Sequence, residues 1–187
     1  MPLNTTTITL GEELERLREE YRQLDAAAAN DDADAGGADG DAGAENDGTA
    51  PDGDGVSAAL DALRAHQRRK VNGVGYLADE YGHDAAVTVG GLTMQDKALV
   101  LRELSTVKNE AAAVGMGEID TVGLDDLYEA AAGLVDAPFL PDDVDAADPM
   151  QFSAVVDELG GEYPQVTRWL VDRVRVATEL PDHLGNG

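Results

Sequence analysis

The sequence contains no cysteine among its 187 residues. This absence excludes disulfides, thiolate metal ligands and thiol nucleophiles. Aromatic residues are scarce at 4%, so an interior has to be packed mainly from Leu, Val and Ala. No apolar run approaches the roughly 20 residues that cross a bilayer, and the N-terminal residues have neither the basic region nor the apolar core of a secretory signal. We therefore expect a cytoplasmic protein with no membrane partner.

Basic residues are also scarce in this sequence. Lys and Arg together number 13 against 38 Asp and Glu, which gives a formal net charge of -25. Like charge of this size opposes compaction in dilute buffer, whereas at molar salt the Debye length falls to roughly 3 Å and the repulsion is screened. The acidic excess also continues after residue 120. The composition predicts a halophilic protein, and it disfavours nucleic acid as the main partner because phosphate contacts require clustered Lys and Arg.

Motifs for catalysis and metal binding are missing as well. His66, His83 and His183 have no spacing that places two of them on one metal ion. The sequence has no phosphate-binding GxxxxGKS/T loop, no GxSxG turn and no GxGxxG segment after a strand. We therefore expect a protein that is not an enzyme and that has no cofactor and no bound metal.

An amphipathic helix is predicted within residues 1–24. Its apolar residues recur at alternating intervals of four and three, as in the a and d positions of a coiled coil. These residues are Leu10, Leu14, Leu17, Tyr21 and Leu24. Two heptads are too short for a stable isolated helix in water. The stripe therefore needs a partner, which is either the rest of this chain or another polypeptide.

The composition changes abruptly over residues 25–55. This segment contains no Lys, no Arg and no aliphatic residue larger than Ala. Such a composition buries too little apolar surface to offset the entropy of ordering. It predicts a disordered acidic linker.

A small helical domain is predicted for residues 56–180, followed by a frayed tail at residues 181–187. Thr93 and Asp148 precede helical patterns as N-caps. A short strand is expected near residues 85–89, so the predicted fold class is mainly α, with at most one short strand or hairpin. On the last helix the apolar side carries Trp169, Leu170 and Val174. These three residues either fill the core or contact a partner.

Two segments resemble tail assembly chaperones of tailed viruses. The first is EYGHDAAVTVGGLTMQDKALVLREL, residues 80–104, in which a short strand leads through a Leu-Thr turn into a helix with an early acid. The second is LDDLYEAAAGLVDAPFLPDDVDAADPMQFSAVVDEL, residues 124–159, a helix, a proline-broken acidic loop and another helix. The resemblance implies a chaperone that coats the long tape-measure protein during tail assembly and is absent from the finished particle. A haloarchaeal virus would account for the charge.

The resemblance implies a non-enzymatic protein-binding function, with a tape-measure-like protein or a second copy as the partner. The candidate partner-binding residues are Leu10, Leu14, Leu17, Tyr21, Leu24, Trp169, Leu170 and Val174. A structural or scaffolding component of the virion is the alternative. A third hypothesis is a DNA-associated regulator that uses the basic cluster Arg64, Arg68, Arg69 and Lys70.

Overall fold

The computed structural model of the protein describes residues 3–35, 53–115 and 122–179. Most of them are helical, which confirms the mainly α fold class. In chain order the elements are β1 (Leu3–Thr9), α1 (Leu10–Ala35), α2 (Gly53–Tyr81), β2 (Ala86–Gly91), α3 (Met94–Ala113), α4 (Val122–Gly133), β3 (Leu134–Asp136), a 3-10 turn (Pro149–Gln151), α5 (Phe152–Gly161) and α6 (Pro164–Glu179).

The sheet is larger than the single strand or hairpin expected from the sequence. It has three antiparallel strands in the order β1-β2-β3. β2 is the predicted strand, whereas β1 lies in a segment for which no strand was predicted. The run of Thr and Ile in β1 is typical of strands, because β-branched side chains fit a pleated surface. β3 replaces the end of a predicted helix, since α4 stops at Gly133.

The helices on both sides extend into the predicted linker. α1 continues beyond Leu24 to Ala35, and α2 begins at Gly53. Four consecutive Ala residues follow Asp25, and Ala has the highest helix propensity, which favours continuation of α1. The middle of the predicted linker, residues 36–52, and the predicted tail, residues 181–187, lie outside the described residues.

The core surrounds α6. This helix packs on α2, α4 and α5 and on the inner face of the sheet. α1 and α2 form an antiparallel pair, in which Gly11 N donates to His83 O at 2.9 Å and Arg64 Nε donates to Asp25 Oδ1 at 2.9 Å farther along. The buried residues of α1, α2, α4, α5, α6 and the sheet form one hydrophobic cluster. The N-terminal helix and the predicted 56–180 unit therefore share a core.

The contact between α2 and α6 depends on the absence of a side chain at Gly73. A Cβ atom there would lie 2.5 Å from the backbone oxygen of Gln165. We expect Gly73→Ala to lower the free energy of unfolding by about 1–3 kcal/mol, because one backbone has to move away from the other. Chemical denaturation of the purified protein at molar salt measures this change.

The matched control for this prediction is Gly75→Ala in the same helix. A Cβ atom at Gly75 makes an ordinary 3.8 Å contact with Leu14. Since Ala exceeds Gly in helix propensity by about 1 kcal/mol, this variant is expected to be as stable as the wild type or more stable. Equal destabilisation by both substitutions would contradict the close approach of α2 to α6.

Candidate functional site

Most of the partner-binding residues predicted from the sequence lie in the core. Six of the eight are buried, which leaves only Tyr21 and Leu24 partly accessible. The buried residues are Leu10, Leu14, Leu17, Trp169, Leu170 and Val174. The apolar stripe of α1 thus packs within this chain, and the α6 residues face the same cluster. The prediction that these six contact a partner is wrong, because the chain itself removes them from solvent.

A buried carboxylate connects α1 to α6. Glu13 is 6% exposed, and its Oε1 accepts hydrogen bonds from Trp169 Nε1 at 2.7 Å and from Arg173 Nη2 at 2.6 Å. Arg16, which follows Glu13 by three residues in α1, donates to the same carboxylate, with Nε 2.9 Å from Oε2. A buried charge of this kind is stable only when it is paired and hydrogen-bonded. The helix turns Glu13 inward, whereas its neighbour Glu12 is exposed.

A second polar network connects α6 to α2. Asp172 Oδ2 is 3.0 Å from His66 Nε2 and 3.2 Å from Lys70 Nζ. The other ring nitrogen of His66, Nδ1, accepts a hydrogen bond from Arg168 Nε at 3.1 Å. A neutral His66 therefore carries its proton on Nε2, facing Asp172. Arg168 also pairs with Asp126 of α4.

These polar groups satisfy one another. Within residues 3–35, 53–115 and 122–179, no buried side-chain nitrogen or oxygen lacks a hydrogen-bond partner. In the same ranges, no group of three or more His, Asp or Glu residues is arranged to hold a metal ion. The cavity beside Arg173 and Asp172 has a volume of about 360 Å³, and each of the four basic residues that line it pairs with an acidic residue of the chain. The network is therefore a connection between helices, with each charge already paired.

The basic cluster at the middle of α2 is partly neutralised. Arg64 pairs with Asp25 and Asp61, and Lys70 pairs with Asp172. Arg68 and Arg69 are exposed. Two of the four cations are thus committed to contacts within the chain, which leaves a small patch for a nucleic-acid backbone.

α3 differs from the other helices because most of it lies outside the core. Its first turn is fixed by the predicted N-cap, in which Thr93 Oγ1 accepts from Asp96 N at 3.2 Å and Asp96 Oδ2 accepts from Thr93 N at 2.8 Å. The helix then packs on α4. Only Val100 and Leu104 of α3 are buried, and neither belongs to the main hydrophobic cluster. α3 is therefore a well-capped helix that stands beside the domain.

α3 exposes large apolar side chains. Met94 is 81% exposed and Leu101 is 68% exposed, while Val114 at the end of the helix is 74% exposed. A groove of about 390 Å³ runs between α3 and α4, lined by Leu92 and by apolar residues of α3 and bordered by Asp125 and Arg175. Its apolar residues are Leu92, Val100, Leu101 and Leu104. We call the groove and the exposed Met94 and Leu101 the α3 surface.

The charges of α3 balance, as those of α2 also do. Residues 94–113 contain three acidic and three basic residues, a net charge of zero, although the whole chain carries -25. The six are Asp96, Lys97, Arg102, Glu103, Lys108 and Glu110. Met is enriched at protein–protein interfaces relative to the rest of the surface. A signal was present in the sequence, because Met94 and Leu101 are seven residues apart and therefore share one face of the helix.

Comparisons with protein-family models, with curated proteins and with solved structures find no match. In the described part of the chain, none of the helices combines the length and the apolar character needed to cross a membrane. The α3 surface is therefore the feature that carries a functional conclusion.

Proposed function

We propose that the protein is a non-enzymatic protein-binding module that holds an amphipathic helix of a long helical partner against the α3 surface. The observation that carries this proposal is the exposure of Leu101 and Met94 on a neutral helix beside an apolar groove. An amphipathic helix docks into such a groove through residues spaced three and four apart. Covering Leu101 and Met94 with a partner helix removes their apolar surface from water, which favours association.

The dimensions of α3 suit a helical partner. α3 has 20 residues, which at 1.5 Å per residue corresponds to about 30 Å of helix surface. The groove is open along the side of α4 and carries both signs of charge at its border, from Lys97, Asp125, Glu129 and Arg175. A partner with apolar anchors and mixed flanking charge fits this border better than a strongly basic one.

The finer form of the proposal is a tail assembly chaperone that acts in the salt-rich cytoplasm of a haloarchaeal host. The two segments that resemble this family, residues 80–104 and 124–159, contain most of both walls of the groove. A tape-measure protein, with its long apolar helices, has the chemistry that the α3 surface accepts. The acidic excess supports the high-salt setting, since it is tolerated where charge repulsion is screened.

The test begins with capture of the wild-type protein from a producing cell lysate at molar salt and identification of the long helical protein that co-elutes. That protein is then purified and titrated against wild type and Leu101→Glu. We expect Leu101→Glu to weaken binding at least about tenfold, because a carboxylate is placed where an apolar anchor is desolvated. Its Tm is expected to match that of the wild type, since Leu101 is exposed.

Gln95→Glu is the matched control, because it adds the same charge to an exposed position of α3. Its binding is expected to equal that of the wild type. Equal binding by Leu101→Glu and wild type would contradict the proposal. Recovery of tail-tube or capsid proteins, with the protein itself retained in purified particles, would replace it by the virion structural alternative. Salt-sensitive binding to duplex DNA that is lost on replacing Arg68 and Arg69 would favour the regulator.

A further inference from the structure

In the described part of the chain, the outer edge of β1 pairs with no other strand. There, β1 is hydrogen-bonded to β2 on one side only. Thr5, Thr6 and Thr7 are exposed. The regularly paired part of β1, residues 6–9, presents backbone N–H and C=O groups that another strand can pair with. The opposite edge of the sheet, β3, is less suited to pairing with another strand, because β3 has only three residues and ends in the charged Asp136.

The regularly paired part of β1 carries neither charge nor proline, and a register shift between Leu3 and Thr6 precedes it. Residues 3–11, LNTTTITLG, contain no charged residue, in a chain whose net charge is -25. They contain no proline either. Natural edge strands are protected from pairing by charged side chains, by proline or by shortness. The absence of charge matters most for pairing with an identical strand, because any charge on β1 would face its own copy and repel it.

The threonines of β1 are suited to cross-strand pairing. The Oγ1 atoms of Thr7 and Thr88 lie 3.0 Å apart across the β1–β2 pair. Cross-strand threonine hydrogen bonds of this kind stabilise antiparallel sheets. A second β1 strand on the open edge supplies the same residue types in the reverse direction.

The layer beneath the open edge is also incomplete. A cavity of about 330 Å³ opens between β1 and α6, lined by residues that include Thr6, Ile8, Arg173 and Val176. Val176 is half exposed there, although α6 is otherwise the centre of the core. The described part of this chain thus leaves the space between the β1 edge and α6 unsealed, at the place where a further strand would lie.

We propose that β1 pairs antiparallel with β1 of a second copy about a two-fold axis, which joins two three-stranded sheets into one sheet of six strands. The interface is isologous, so the same neutral strand serves both copies. Long-range repulsion between two acidic chains opposes this dimer in dilute buffer and is screened at molar salt. The dimer is therefore expected to become tighter as the salt concentration rises. The proposal does not depend on the function proposed for the α3 surface.

The experiment measures the dimer dissociation constant by sedimentation equilibrium at molar KCl. Wild type is expected to be dimeric, and Thr7→Glu is expected to weaken the dimer at least about tenfold, because like charges meet across the two-fold axis. Ser153→Glu adds the same charge at an exposed position of α5 and is expected to leave the dimer unchanged. Leu101→Glu is expected to leave it unchanged too, which separates this proposal from the one for α3.

Cysteine substitution provides a second measurement, since the chain has no cysteine of its own. Thr5→Cys, Thr6→Cys and Thr7→Cys are oxidised separately, and at least one is expected to form a disulfide-linked dimer, because directly opposed residues of antiparallel strands bring their Cβ atoms to about 5 Å. Ser153→Cys is expected to remain uncrosslinked. A wild-type protein that is monomeric at molar salt would overturn the proposal, as would a dimer that Thr7→Glu leaves intact or that no β1 cysteine crosslinks.

Discussion

Trp169→Ala is expected to lower the free energy of unfolding by about 3–5 kcal/mol, the range found when a buried aromatic side chain is removed. Trp169 is the largest of the fully buried side chains in the described part of the chain, and it lies in the cluster where α1, α2 and α6 meet. The substitution also removes the N–H group that Glu13 accepts at 2.7 Å. For a domain of this size we expect a fall in Tm of roughly 6–20 °C, measured by circular dichroism at molar KCl.

Two variants calibrate this result. Trp169→Phe keeps an aromatic ring in the core and loses the N–H donor, so its loss of stability is expected to be intermediate. Val176→Ala changes a half-exposed residue on the same helix and is expected to cost less than about 1 kcal/mol. A Tm for Trp169→Ala within a degree of that of Val176→Ala would mean that Trp169 does not fill the core and that its face of α6 is free for a partner after all.

The helices were the predictable part of this fold, because local signals set their ends. Thr93 begins α3 through a capping box, Asp148 caps the turn before α5, and Pro164 begins α6. Each signal acts through backbone groups within three or four residues of the cap. The sequence pattern alone therefore locates these ends without knowledge of the tertiary structure.

The strands at the edges of the sheet were not predictable in the same way. β1 and β3 exist because β2 lies between them, and the pairing joins residues more than 40 positions apart, such as Ile8 with Val87 and Val89 with Leu134. Strand formation depends on packing and burial in the sheet more than on intrinsic preference. For β3, the helical sequence pattern of α4 continues past the end of that helix, but the residues that carry it form a strand in the structure.

The candidate surface was hidden from the sequence for a related reason. Heptad spacing shows that Leu10, Leu14 and Leu17 share one face, but it does not show whether α2 and α6 of the same chain cover that face. In α3, Val100 and Leu104 are buried, whereas Leu101, which lines the same groove, stays 68% exposed. Only the tertiary structure reveals that α3 stands beside the core, so that this groove remains open.

Glu13→Ala is expected to destabilise the protein by about 3–5 kcal/mol, because it removes one partner of a buried charged group. Without this carboxylate, the guanidinium of Arg173 and the N–H of Trp169 lose their shared acceptor inside the α1–α6 contact. The loss is expected to persist at molar KCl, since buried pairs are screened much less than exposed ones. Urea denaturation at low and at molar salt measures both the size of the effect and its salt dependence.

Glu12→Ala is the control that separates pairing from net charge. Glu12 precedes Glu13 in α1 but is exposed, and both substitutions remove one negative charge from a chain that carries -25. Lower net charge reduces self-repulsion, so Glu12→Ala is expected to be neutral or slightly stabilising at low salt, while Glu13→Ala is strongly destabilising. If both variants instead became more stable at low salt, the acidic excess alone would govern folding, and the hydrogen-bonded carboxylate between α1 and α6 would have no structural importance.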